Sequence, residues 1–330
     1  MVNMKAFLKL VRWQNLLIIA LTMVMMRYCI IEPVISRINI LPVSGGDEMI
    51  PLTLQLPWYD FIILVAATVM IAAAGYVIND YFDIKTDLLN RGEVIVGTKI
   101  PRRQAIMWHN ILNIAGVAAG FYVSWKAGYF WLGILFLVVS GLLYFYSASY
   151  KRQFLIGNLV VSFLTAMVPL LVVIYEWPYL YRYCQLNAVN PPDLSVLFYW
   201  VGGFSVFAFL TNLAREIVKD IEDFEGDNAY GRNTLPVVTG ILTSRIISAS
   251  LVFLIIISLY LVWYFFINDL ITLIYSTVAI ALPLVYVIFR LLSSRRREQF
   301  HSASRMIKIV MLTGILYSVV VMIIIKGNLI

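Results

Sequence analysis

Apolar stretches of about 20 residues recur along this chain from one end to the other, and that recurrence limits what it can become. Nine are legible, at roughly 15–36, 58–79, 104–125, 128–148, 156–176, 196–217, 246–267, 270–291 and 305–325. At about 1.5 Å per residue, each is long enough to cross some 30 Å of hydrocarbon as a helix. The runs are continuous rather than alternating, which selects helices over a transmembrane barrel. With 62% hydrophobic and 13% charged residues and a mean hydropathy of +0.87, the chain lies outside the range of soluble domains. The expectation is an all-α polytopic membrane protein, a single domain over 1–330, with nine transmembrane helices in a bundle. The first stretch is long enough to span and no small-residue cleavage site follows it, so it reads as a retained helix rather than a signal peptide.

Composition also removes function classes. Cys29 and Cys184 are isolated, as are His109 and His301, so neither a disulfide framework nor a histidine/cysteine zinc centre is expected. The net charge of +7 invites a nucleic-acid reading, but its distribution belongs to a membrane protein. With the N-terminus in the cytoplasm, 20 of the 25 Lys and Arg fall in cytoplasmic segments, which places the C-terminus outside. No nucleic-acid partner is expected. The run Arg295-Arg296-Arg297 reads as part of the same topology signal, with contact to anionic membrane lipid.

Against this background half of the 18 acidic residues gather in two short windows. The first contains Asn79, Asp80, Asp83 and Asp87; the second runs from Arg215 through Glu216, Lys219, Asp220, Glu222, Asp223 and Glu225 to Asp227. Asp80, Asp83 and Asp87 recur 140 positions later as Asp220, Asp223 and Asp227. The windows follow spans two and six, which point the same way and share the cytoplasmic face. A parallel repeat follows, spans 1–4 and 5–8 with span nine appended, and repeats of this kind place a site between their halves.

On a continuous helix, positions i, i+3 and i+7 share one face, so each window would present a row of carboxylates. Like charges in a row repel unless something neutralises them. Hard oxygen donors without His or Cys point to Mg²⁺, which takes one or two carboxylates and completes its shell with water and phosphate. Lys151, Arg215 and Lys219 would meet the same phosphates. Two other readings stay open at this point. One is a solvated acidic loop surface; the other is a cation-coupled transporter, for which acids at helix ends and few midplane Gly/Pro breaks are a poor match.

The two windows, NDYFDIKTDLLNR and AREIVKDIEDFEGD, resemble those of the UbiA-type intramembrane prenyltransferases. The resemblance spans most of the chain. It includes Arg12-Trp13-Gln14-Asn15 at the start of helix one, Tyr146-Ser147 through Lys151-Arg152 to Gly157-Asn158, and Thr234-Leu235-Pro236 with Gly240. One departure lies after the first window. The family's proline- and arginine-rich turn is replaced by Arg91-Gly92-Glu93-Val94-Ile95-Val96-Gly97, which puts that loop's part in substrate binding in question.

The resemblance implies Mg²⁺-assisted ionisation of an allylic prenyl diphosphate and capture of the carbocation by a lipophilic acceptor, water being kept out. It implies Asp80, Asp83, Asp220 and Asp223 as leading metal ligands, Asp87 and Asp227 next, with Asn79 as a ligand or orienting group. Lys151, Arg215 and Lys219 would contact the diphosphate, and Arg12, Asn15 and Tyr146 complete the substrate contacts. The second window is most similar to the branch that attaches geranylgeranyl to geranylgeranylglyceryl phosphate. Its shorter KDIxDxEGD element also occurs in homogentisate and other quinone-pathway enzymes, so an aromatic acceptor is the alternative. A phosphate-bearing acceptor needs further cations, for which Arg12, Arg102 and Arg103 are candidates.

Arg27 falls near mid-span, where a charge costs about 2.5–3.5 kcal/mol on insertion scales. Snorkelling, or pairing with Glu32 inside the bundle, would relieve it. The 37–57 loop with Asp47 and Glu48 is expected outside the cytoplasm, beside an aromatic belt of Trp58, Tyr59, Trp177, Tyr179 and Tyr181. His109 reads as structural.

Overall fold

The computed structural model describes residues 4–43, 48–91, 94–293 and 297–327. Asp47, Gly92, Glu93, Arg295 and Arg296 lie outside the described residues. Among the described residues nine helices are long and apolar enough to cross a membrane. They are α1 (Trp13–Ile35), α2 (Trp58–Phe82), α3 (Arg102–Lys126), α4 (Phe130–Arg152), α5 (Ile156–Asn187), α6 (Ser195–Glu222), α7 (Ile241–Ile267), α8 (Leu270–Ser293) and α9 (Arg297–Lys326).

Several helices outrun their apolar stretches. α5 continues through Pro178 to Asn187, and α9 begins eight residues before the stretch at 305. Hydropathy marks only the part that lipid must accept, whereas backbone hydrogen bonding continues into polar residues at either end. Tight approaches use small residues: a methyl group at Gly120 of α3 would lie 2.3 Å from the Phe136 ring of α4, so only glycine admits that ring.

The buried core has two main parts. One, with Met23, Ile30, Leu64, Val172 and Val201, unites the first six helices with Val321 and Ile325 near the end of α9; the other, with Ile217, Val252, Leu284 and Ile307, unites α6 to α9. A smaller cluster seats the short helix Met4–Leu10 against Val77 of α2 and the loop before α3. In that loop Val96 is fully buried and Gly97 takes φ +93°, so the chain turns there on a glycine.

Arg27 neither snorkels nor pairs with Glu32. Its guanidinium is buried, lies 3.6 Å from Glu176 of α5, stacks 4.5 Å from the Phe61 ring centroid and donates to the Leu56 carbonyl. Glu176 also accepts from the backbone N–H groups of Gln55 and Leu56, at 2.7 and 2.9 Å. A π-helical turn at Met26–Ile31 lies around Arg27. The pairing pins Gln55 and Leu56 to the end of the bundle opposite the acidic windows, where a short antiparallel pair joins Asn39–Ile40 to Ile50–Pro51. Of the aromatic belt, Trp58, Tyr59 and Tyr181 are exposed, while Trp177 and Tyr179 are partly buried. His109 is buried, with Nδ1 3.0 Å from the Ala74 carbonyl.

Candidate active site

The continuous carboxylate rows expected of each window are interrupted at the same place. α2 ends at Phe82 and Asp83 takes φ −93°, ψ 4°, before a short helix from Ile84 to Arg91. α6 ends at Glu222 and Asp223 takes φ −94°, ψ 8°, before a short helix from Phe224 to Ala229. The backbone bonds match as well. Asp83 N–H donates to Asn79 and Asp87 N–H to Asp83, at 3.0 and 2.8 Å; Asp223 donates to Lys219 and Asp227 to Asp223, at 2.8 and 3.0 Å. Asp tolerates this sparsely populated bridge conformation, so each chain bends about its middle aspartate. The 140-residue repeat is therefore a repeat of backbone shape as well as of sequence.

Both bends face one cavity of about 330 Å³. Of the predicted residues Arg12, Asn15, Asn79, Asp83, Asp87, Tyr146, Lys151, Arg215, Lys219, Asp220, Asp223 and Asp227 border it. Asp80 does not; its carboxylate turns to Arg12, 2.9 Å away, whose guanidinium also lies 5.0 Å over the Tyr76 ring. Arg12 itself sits at φ 51°, ψ 53°, the left-handed kink between Met4–Leu10 and α1. Arg102 and Arg103 are exposed at the start of α3, off the cavity.

Sequence reasoning missed Arg232. It reaches Asp83 at 2.7 Å, Thr86 at 2.7 Å and Asp227 at 3.3 Å, joining the two windows directly. Lys151 meets the same Asp83 oxygen at 2.7 Å and Asn79 at 3.2 Å. Burial alone would push the Asp83 carboxyl up, but Lys151 and Arg232 outweigh it and hold Asp83 below the usual carboxylate range. Asp227 goes the other way. Burial pushes it up to about 6 against the pull of Arg232, with Asp223 adding repulsion.

Three more partners come from outside the windows. Asn158 donates to Asp220 at 2.8 Å, Arg297 at the start of α9 lies 3.4 Å from Asp223, and Lys308 of α9 donates to Asn15 at 2.7 Å. Asn158 lies within the resemblance, and Arg232 follows Asp227 by five residues. Lys308 had no local signal beyond its place inside an apolar stretch.

Below this charged mouth the cavity is apolar, walled by Ile71, Gly75, Val139, Leu143, Leu164 and Leu171 and floored by Phe136. Along α2 it extends from Asn79 to Thr68, about 16 Å by helix rise. Among the described residues no three His, Cys, Asp or Glu side chains converge into a preformed cation cage. Carboxylate oxygens without a cage still fit Mg²⁺, which takes few protein ligands and fills its shell with water and phosphate.

Charged mouth and greasy pocket together have the form of a site for an amphipathic anion, and sequence comparison says which family built it. A profile of the UbiA prenyltransferase family matches residues 40–312. The chain belongs to the UbiA prenyltransferase family. This UbiA chain is 28% identical to the digeranylgeranylglyceryl phosphate synthase of Thermococcus kodakarensis over 307 residues, 92% of the chain and 93% of that protein. The enzyme of the same name from Methanothermobacter thermautotrophicus is 38% identical over 196 residues, covering 58% of the chain and 61% of that relative, less than two thirds of its length.

Solved structures share the UbiA fold. One, of work on digeranylgeranylglyceryl phosphate synthase in membranes, matches with a TM-score of 0.60 at 23% identity, covering 97% of this chain and 99% of that one. A UbiA homologue from Archaeoglobus fulgidus bound to GPP and Mg²⁺ matches with a TM-score of 0.56 at 14% identity, covering 96% and 99%.

Proposed function

We propose that this UbiA prenyltransferase transfers the geranylgeranyl group from geranylgeranyl diphosphate to geranylgeranylglyceryl phosphate, using Mg²⁺, as a single integral-membrane domain. One observation carries the reading. Two acidic bends 140 residues apart, with Lys151 and Arg232 between them, form the mouth of a pocket that is otherwise apolar. The relatives' names support the acceptor, and the Mg²⁺- and GPP-bound neighbour supports the metal and the donor class. The excess of Lys and Arg in the mouth-side segments supports placing the mouth and N-terminus in the cytoplasm and the C-terminus outside.

Asp83, Asp87, Asp220, Asp223 and Asp227 would hold Mg²⁺ between the two bends. When bound, the metal would neutralise charge developing on the departing diphosphate. Lys151 and Arg232 are already fixed by Asp83, so they meet that charge without reorganising. Asp80, turned away from the cavity, would orient Arg12. The walls from Ile71 to Leu171 keep water from the carbocation, and the acceptor oxygen captures it instead.

The test is label transfer by purified protein from radiolabelled geranylgeranyl diphosphate, with geranylgeranylglyceryl phosphate and an aromatic acid offered side by side. Magnesium-dependent label in the glyceryl lipid is expected. Label in the aromatic acid alone would overturn the acceptor, and label in neither would overturn the reading.

A further inference from the structure

We infer that Lys308, with Asn15, forms a separate anion subsite that recognises the acceptor's phosphate, and that the acceptor's chain leaves beneath it through a second apolar branch of the cavity. The identity of the acceptor rests on the function proposed above; the subsite rests on the following geometry.

Lys308 projects from α9 into the cavity mouth, where its Nζ donates to Asn15 Oδ1 of α1 at 2.7 Å. Among the described residues no carboxylate pairs with it. The charges that act on it are those of Arg215, Arg12 and Lys219, all cations bordering the same cavity. Arg215 and Lys219 share one counter-ion, Glu216, at 3.1 and 2.8 Å, and Arg12 is taken by Asp80. An ammonium has three donors, and a neutral amide oxygen satisfies one of them. Lys308 thus faces three cations with no carboxylate of its own, a repulsive arrangement that a bound anion would relieve. Lys151 and Arg232, which meet the diphosphate, belong to a different group, organised around Asp83.

The apolar space divides in the same way. A second pocket of about 90 Å³ lies beneath Lys308 and shares Ile18, Ile19, Thr165, Val168 and Met311 with the main cavity. Helical register explains its position. Ile18, Ile19 and Thr22 follow Asn15 on one face of α1, Met311 and Ile315 follow Lys308 on one face of α9, and Ala208 of α6 closes the far side. The main pocket runs on between α2, α4 and α5, and Thr165 and Val168 of α5 form the wall common to both branches. Two cationic groups, each above its own apolar branch, match two amphipathic anions: a prenyl diphosphate and a glycerol lipid bearing a phosphate monoester.

The experiment varies each substrate separately with wild type, Lys308→Met, Lys308→Arg and Ala208→Phe in nanodiscs. It also measures equilibrium binding of radiolabelled geranylgeranylglyceryl phosphate and of its dephosphorylated alcohol without diphosphate present. Lys308→Met is expected to raise the acceptor KM and weaken acceptor binding by about tenfold or more, while the KM for geranylgeranyl diphosphate stays within about twofold. Lys308→Arg should recover most of that loss, and the alcohol should bind wild type and Lys308→Met alike. Ala208→Phe, which keeps every charge, should raise the acceptor KM alone. Equal effects of Lys308→Met on both substrates, or none on either, would overturn the subsite; an unchanged acceptor KM in Ala208→Phe would overturn the branch. Lys308-dependent binding of the phosphate lipid by a wild type that transfers no label to it would leave the subsite standing and sink the acceptor reading. Transfer without dependence on Lys308 would do the reverse.

Discussion

Lys151 Nζ and Asp83 Oδ1 lie 2.7 Å apart, both largely buried, tying the last turn of α4 to the bend after α2. Arg232 approaches the same oxygen from the other window at 2.7 Å. Asp83 is thus the point where three separate stretches of sequence meet. Removing one cation leaves the other in place, so Lys151→Met should remain folded. It should lose about 10²–10³-fold in kcat, the scale for a preorganised donor to developing charge. Single-turnover transfer with saturating substrates checks this, and unchanged kcat would remove Lys151 from the chemistry.

Arg232 donates from Nη2 to Asp83 and Thr86 and from Nη1 to Asp227, a two-nitrogen fork that the single nitrogen of a lysine cannot imitate. Arg232→Lys keeps the charge but should still lower kcat/KM for the diphosphate by about tenfold or more, since a planar fork is replaced by a point charge. Activity equal to wild type would show that charge alone suffices there.

The opposite behaviour of Asp83 and Asp227 predicts a pH dependence. A proton competes with cations for Asp227 below about pH 6, whereas Asp83 stays ionised. Mg²⁺ affinity of the substrate-free protein should therefore weaken as pH falls from about 7 through 6, by up to about tenfold per unit, and Asp227→Asn should flatten that profile. For stability the signs differ. The raised Asp227 contributes most below its unfolded value of about 3.9, and that contribution is lost as pH rises through about 6. The depressed Asp83 contributes above about pH 3.9 and is lost as pH falls through its lowered value. Isothermal titration with Mg²⁺ across pH 5–8 reads the first effect; a wild-type profile already flat would contradict it.

Phe136 floors the prenyl pocket and rests where Gly120 leaves room. Phe136→Ala should deepen the pocket and shift preference toward longer prenyl diphosphates, each newly buried methylene being worth about 0.8 kcal/mol. The cost is about 3–5 kcal/mol of stability. Competition between donors of two chain lengths measures the shift; the same preference as wild type would place the floor elsewhere.

At the far end of the bundle, Arg27→Met strands Glu176, which would keep only its two backbone donors. A loss of about 3–5 kcal/mol, read as a lower Tm in detergent, is expected, and Arg27→Met with Glu176→Leu should be less destabilised than the single change. Equal Tm values for wild type and Arg27→Met would show the pair to be dispensable.

The legibility of this chain follows from the range of the forces involved. Spans were readable because lipid imposes a local, continuous rule, and the two acidic windows because their repeat is local too. Partners were not. For Arg27 the sequence offers only snorkelling or the neighbouring Glu32, because sequence distance stands in for spatial distance, whereas Glu176, 149 residues away, holds it. Arg232 and Lys308 looked like ordinary positive-inside charges, since nothing in the sequence says which cations a bundle turns inward. The bends at Asp83 and Asp223 were hidden because helix periodicity predicts a face and says nothing of a cap within it.

The paired acidic bends are tested most directly by magnesium-dependent transfer from radiolabelled geranylgeranyl diphosphate to geranylgeranylglyceryl phosphate by wild type, Asp83→Ala and Asp223→Ala, all purified as folded membrane protein. Wild type should yield labelled lipid and neither variant any above background; substantial transfer by both variants would show that the two acidic bends do not hold the metal.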